Sequence, residues 1–207
     1  MKYLQILVVF FGIMLTSCNG SDPQSAYVYN ANPIYTWGYA EYFGLEYAKS
    51  GNQNHILSVS LFSAGLKPDS TGALTGVGQS LFFEDIYVHP TEILLPAGTY
   101  TINTSELPFT VRPGKNDTVG NELFPIGARI TYYEENTSKS KVKFITEGTF
   151  SVSIESDTIY TINCDLKTDD KKVLKGSFTA TYLPHYNESL NAVVLAARKR
   201  THRNIQF

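Results

Sequence analysis

The run Gly148-Thr149-Phe150-Ser151-Val152-Ser153-Ile154, the turn Glu155-Ser156-Asp157 and the run Ile159-Tyr160-Thr161-Ile162-Asn163-Cys164-Asp165-Leu166 decide the fold. In the first run Phe150, Val152 and Ile154 alternate with hydroxyl side chains. In the second, Tyr160, Ile162, Cys164 and Leu166 share one side. A period of two, apolar on one face and polar on the other, belongs to a strand with one side buried and one wet. Two such runs joined by a short turn make an antiparallel hairpin. Outward from this hairpin, Phe178, Ala180 and Tyr182 alternate with Ser177, Thr179 and Thr181, and Leu57, Val59 and Leu61 alternate with Ser58 and Ser60. Turn chemistry separates the runs at Ser50-Gly51-Asn52, Lys67-Pro68-Asp69-Ser70-Thr71-Gly72, Pro96-Ala97-Gly98, Arg112-Pro113-Gly114-Lys115-Asn116-Asp117 and Thr168-Asp169-Asp170-Lys171. Strands are expected near 35–48, 55–63, 80–88, 99–103, 108–111, 128–134, 141–145, 148–154, 158–166 and 173–182. The fold class is all-β and antiparallel, with a meander after residue 140.

Composition agrees. With 207 residues, 43% hydrophobic and 17% charged, the chain suits one globular domain. Its 14 Tyr and 12 Phe favour pleated, half-buried surfaces. Gly98-Thr99-Tyr100, Gly148-Thr149-Phe150 and Gly176-Ser177-Phe178 echo one another, which reads as a recurrent strand start: glycine for the turn, then an inward aromatic.

The amino terminus carries an export pattern. Lys2 precedes an apolar stretch from Leu4 to Leu15, interrupted by Gln5 and Gly12. The stretch is too short for a bilayer span of about 20 residues but suits a signal-peptide core. The junction Leu15-Thr16-Ser17-Cys18 resembles the lipobox of bacterial lipoproteins. That resemblance implies cleavage before Cys18, a thioether-linked diacylglycerol on Cys18 and an acylated amine, so the mature chain is anchored through membrane lipid. The expected organisation is a signal peptide over 1–17, a lipidated tether over 18–33, a single β domain over 34–187 and a basic tail or short helix over 188–207. With Cys18 acylated, Cys164 is left alone and reads as a small buried hydrophobe.

Seventeen Lys and Arg face 19 Asp and Glu, and four of the cations crowd into Arg198-Lys199-Arg200-Thr201-His202-Arg203. The remaining body is acidic, which argues against a nucleic-acid partner. The tail itself reads as a solvated terminus.

The runs around Gly148–Val152, Ile159–Ile162, Asp165-Leu166 and Lys175–Phe178 resemble strands of small lipoproteins of Bacteroidota, several of which are lipocalin-like or calycin-like barrels and others sandwiches. The resemblance covers roughly the last third of the chain and the lipobox. It implies a lipocalin-like barrel or, alternatively, a two-sheet β-sandwich. It also implies a place in the cell envelope, lipid-anchored to the outer membrane on its periplasmic or surface face.

Catalytic signatures are missing from the sequence: there is no Gly-x-Ser-x-Gly elbow, no His-Glu-x-x-His, no phosphate loop and no paired cysteines for zinc. Glu84 and Asp85 are adjacent, so strand parity sends them to opposite faces. No catalytic residue, cofactor or metal is therefore expected. The binding signal is the aromatic stretch from Tyr27 to Tyr47, in which Tyr35, Trp37, Tyr39, Phe43 and Tyr47 would share one face of a strand. Such a row can stack on sugars, line an apolar cavity or simply form core. The function expected is a membrane-anchored lipoprotein binding a glycan or apolar molecule. Its alternatives are an accessory subunit with an envelope protein partner, and a hydrolase with an unrecognised site. Finally, Asp69-Ser70-Thr71, Asp117-Thr118-Val119 and Asp157-Thr158-Ile159 match a loose O-glycosylation pattern of Bacteroidota, which nominates Ser70, Thr118 and Thr158.

Overall fold

Phe150 opposes Cys164, Val152 opposes Ile162 and Ile154 opposes Tyr160 in an antiparallel ladder, as the alternation requires. The computed structural model describes residues 29–119, 121–133, 140–156 and 158–191. The chain runs through β1 (Ile34–Gly44), β2 (His55–Ser63), a hairpin of β3 (Leu66–Pro68) and β4 (Leu74–Gly76), then β5 (Gly78–Val88), β6 (Gly98–Ile102) and β7 (Thr110–Val111). A second hairpin, β8 (Lys115–Val119) with β9 (Glu122–Ile126), leads into β10 (Arg129–Tyr133). Then come β11 (Lys141–Glu155), β12 (Ile159–Thr168), β13 (Val173–Leu174), β14 (Ser177–Ala180) and β15 (His185–Asn187). The fold is all-β; among the described residues the only helical element is a 3-10 turn at Ala48–Ser50.

The large sheet returns on itself. Hydrogen-bonded pairing passes from β5 to β2, β1, β14, β12, β11 and β10, and back to β5. The upper half of β5 meets β10, while its lower half meets β7, which β6 joins to β11. This ring is compatible with both the barrel and the sandwich. The expectation of a purely antiparallel sheet is corrected, because β1 pairs in parallel with β14 and with β15. The circuit first traced contains seven strands, and strand directions cannot alternate around an odd ring. One seam must be parallel.

Inside the ring, apolar side chains from nearly every strand fill one core, among them Tyr35, Leu57, Leu81, Phe83, Ile130, Phe150, Ile162 and Phe178. Phe150 stacks between Phe83 (centroids 4.2 Å apart) and Tyr100 (4.7 Å). Cys164 is buried here, and desolvation pushes its thiol pKa up to about 12, so the sulfur packs as an inert hydrophobe. Residues 29–33 are held against this body: the Tyr29 hydroxyl donates to Val173 O, and the carbonyls of Ala31 and Pro33 accept from Lys175 N and Ser177 N. The expected tether thus ends in packed chain.

Several boundaries differ from expectation. The segments 141–145 and 148–154 are one strand, β11, with a bulge between Ile145 and Glu147. Gly148 is therefore no turn. It lies within β11 at φ +112°, and a Cβ there would sit 2.3 Å from Asp165 O, so the close approach to β12 demands glycine. The Arg112–Asp117 turn is instead the entry to the β8–β9 hairpin, and β1 stops at Gly44 rather than 48.

The central stack yields the first test. Phe150→Ala should lower unfolding free energy by about 3–5 kcal/mol, whereas Phe150→Leu should cost much less, as read from urea midpoints.

Candidate functional site

The aromatic row of β1 does not stay on one face. Tyr35 opposes Ser63, Trp37 opposes Phe62, and the register shifts between them. This bulge reverses the parity of the strand. Tyr35 is core, 1% exposed, and so is Ala40 on the reversed phase, while Trp37 and Tyr39 turn to the outer face. A second shift, between Tyr42 and Gly44, sends Phe43 into a small separate cluster with Ile56 and Tyr87, against which Tyr47 packs. The expected single row of five is corrected to three groups. Trp37 and Tyr39 remain together on the outer face, and Phe43 and Tyr47 meet in the separate cluster.

Those two begin an ordered outer surface. Trp37 stacks on Phe62 with centroids 4.0 Å apart and planes at 15°, and its Nε1 donates to Leu66 O at 2.8 Å. Tyr39 stacks on Phe62 at 6.0 Å and meets the edge of Tyr186 at 5.8 Å. Strand pairing extends the pattern in two parallel rows. One runs Trp37, Phe62, Ser80, Thr131, and the other Tyr39, Ser60, Phe82, Arg129. Four strands at about 4.8 Å spacing spread each row over roughly 14 Å. Rings and hydroxyls are interspersed across the surface, and Arg129 lies 4.3 Å over the Phe82 ring. Tyr39, Phe62, Phe82 and Arg129, with Leu74 of the β4 arm, line a groove of about 290 Å³.

Sequence reasoning missed Phe62, Phe82, Arg129, Ser60 and Ser80. The signal was present as twin tripeptides, Ser60-Leu61-Phe62 and Ser80-Leu81-Phe82. Paired antiparallel, they set each serine beside the other strand's phenylalanine, with both leucines in the core. The serine face of β2 is also drier than expected: Ser58 is 1% and Ser60 6% exposed.

The carboxylates around this surface are engaged. Leu81, Phe83, Ile86 and Val88 all point into the core, so a bulge at Glu84-Asp85 keeps both carboxylates out of it. The opposite-face expectation for this pair is thereby corrected, yet the two do not form an acid–base pair. Glu84 Oε2 accepts from Arg129 Nη1 at 2.9 Å and from Gly127 N at 2.8 Å. Asp85 Oδ2 accepts from Arg112 Nε and from the Tyr47 hydroxyl, both at 2.9 Å. Arg112 Nη2 further donates to the Tyr87 hydroxyl and to Glu106 Oε1. Burial opposes the Arg112 charge most strongly, but Asp85, Tyr47 and Tyr87 together outweigh it and raise the pKa. Burial likewise raises the Tyr87 hydroxyl pKa. A second cavity, about 160 Å³, adjoins Tyr87, Glu106, Arg112 and Lys115, but its guanidinium is already satisfied by two carboxylates. This cluster is a strut between β5 and the loop before β8.

Among the described residues no three His, Cys, Asp or Glu side chains gather as a metal site. Ser70, Thr118 and Thr158 are exposed, and the Asp69 carboxylate accepts from Thr71 N and Ala73 N as a turn cap. Asp157 lies outside the described residues, as do Cys18, the expected signal peptide and the basic tail after residue 191. No protein-family model matches the chain, and neither a curated protein nor a solved structure does.

The strut should be costly to break. Asp85→Asn leaves the buried Arg112 charge without its main partner and is expected to destabilise by about 3–5 kcal/mol, measured by chemical denaturation.

Proposed function

We propose that the protein is a lipid-anchored envelope protein that holds a glycan on its outer aromatic groove. The observation that carries this reading is the gathering of Trp37, Phe62, Tyr39 and Phe82 beside Ser60, Ser80 and Thr131 on one face of four paired strands. A sugar ring offers an apolar C–H face and a rim of hydroxyls. An exposed aromatic takes the first, and neighbouring hydroxyl groups take the second. The apolar-ligand alternative needs an interior cavity, and the interior of this ring is occupied by its own core. Glycoside hydrolysis ordinarily uses a pair of carboxylates facing the substrate, whereas Glu84 is bonded to Arg129 and Glu41 accepts from Ser58 Oγ. Anchoring rests on the lipobox residues Leu15 to Cys18.

Two measurements test the reading. Titrating the mature chain with neutral and acidic oligosaccharides should change Trp37 fluorescence, and Trp37 is the sole tryptophan. Tyr39→Ala should weaken that binding about tenfold, about 1.4 kcal/mol, while leaving the melting temperature nearly unchanged because the side chain is only half-buried. A saturating glycan that binds Tyr39→Ala as tightly as wild type would remove the groove from consideration. Separately, the native chain should partition into detergent on phase separation, and Cys18→Ala should remain in the aqueous phase or unprocessed.

A further inference from the structure

We infer that the groove selects acidic glycans, with Arg129 receiving the carboxylate of a uronic-acid residue; this rests on the glycan reading above. Arg129 is the charged member of the groove lining, and its side chain is 20% exposed. Its Nη1 is spent on Glu84 Oε2 and on Gly127 O at 3.1 Å. Its Nε and Nη2 have no partner among the described residues. Those two atoms form the side-on edge of a guanidinium, the edge whose parallel N–H bonds match the two oxygens of a carboxylate.

The surroundings hold that edge ready. Phe82 beneath the guanidinium and Glu84 beside it fix its plane, so little side-chain freedom remains to be lost on binding. The Glu84 carboxylate does not compete for the open edge, because its Oε2 is bonded to Arg129 Nη1 and Gly127 N and its side chain is 9% exposed.

A second, independent observation points to a polar ligand. Ser60 and Ser80 are each only 6% exposed and both line the groove, yet neither hydroxyl has a hydrogen-bond partner among the described residues. Neither Oγ is wholly enclosed, so a ligand hydroxyl entering the groove can reach it. The two serines flank Phe82 and Phe62 and lie one strand from Arg129 and Thr131. A sugar stacked on the rings would bring its hydroxyls to the serines and its carboxylate to the arginine.

The test uses the full lipoprotein in detergent micelles and calorimetric titration with trigalacturonate, its methyl ester and neutral galactotriose. Wild type should bind trigalacturonate roughly tenfold to hundredfold tighter than either uncharged ligand. The ester varies the ligand alone, so this comparison is independent of any folding defect. Arg129→Lys keeps a cation for Glu84 but loses the fork, and should reduce the acidic preference, read as the ratio of trigalacturonate to galactotriose affinity within the same variant, to a few-fold. Equal binding of all three ligands, still weakened by Tyr39→Ala, overturns acid selection and leaves the glycan reading standing. An acidic preference that Arg129→Lys does not reduce overturns the assignment to Arg129. Failure of every acidic and neutral oligosaccharide to bind overturns both readings together.

Discussion

Backbone amides at the edge of a sheet have nowhere to go but solvent or another strand, and this chain answers by returning the sheet to its own beginning. Ile34 and Tyr35 of β1 pair with Ser177 and Phe178 of β14, joining the first strand of the domain to one of the last. Because the circuit holds an odd number of strands, this seam runs parallel while its neighbours run antiparallel. Much else depends on it. It carries Tyr35 and Phe178 into the common core and lets Pro33 O accept from Ser177 N just outside it. Closure of this kind removes the exposed edges that make open sheets prone to pair with other chains.

The outer groove is a product of irregularity within that ring. A strand of perfect parity would have put Tyr35, Trp37 and Tyr39 on one side. The bulge before Trp37 gives the first ring to the core and the other two to the surface. On β5, a bulge at Glu84-Asp85 similarly keeps two carboxylates out of the core, and each is met by its own arginine at 2.9 Å. Bulges commonly re-aim side chains near sites of function, at the cost of one unpaired residue in the ladder.

The two arginines then play different parts. Arg112 is enclosed by Asp85, Glu106 and the Tyr87 hydroxyl, so its charge is consumed within the protein and serves to brace it. Arg129 spends one nitrogen on Glu84 and lies over Phe82 at the margin of the groove. Pairing leaves the first buried and neutralised on two sides, and the second oriented but open on one edge.

The all-β class, most of the strands and the inward faces of β2, β11, β12 and β14 could be read directly from the chain, since hydrophobic alternation is a local signal. Phe150, Val152, Ile162 and Leu166 are buried as their spacing requires. Trp37 and Tyr39 could be nominated from the same signal. What could not be read locally was anything that depends on which strand lies beside which. The parallel seam, the meeting of Ser60-Leu61-Phe62 with Ser80-Leu81-Phe82, and the arrival of Arg129 opposite Phe82 are pairings between residues about 20 to more than 140 positions apart. The bulges that split the aromatic row leave no composition mark either, because one extra residue in a ladder is defined only by its partner strand. Local periodicity therefore determined the faces of the strands. Only closure of the ring decided their neighbours, and with them the groove.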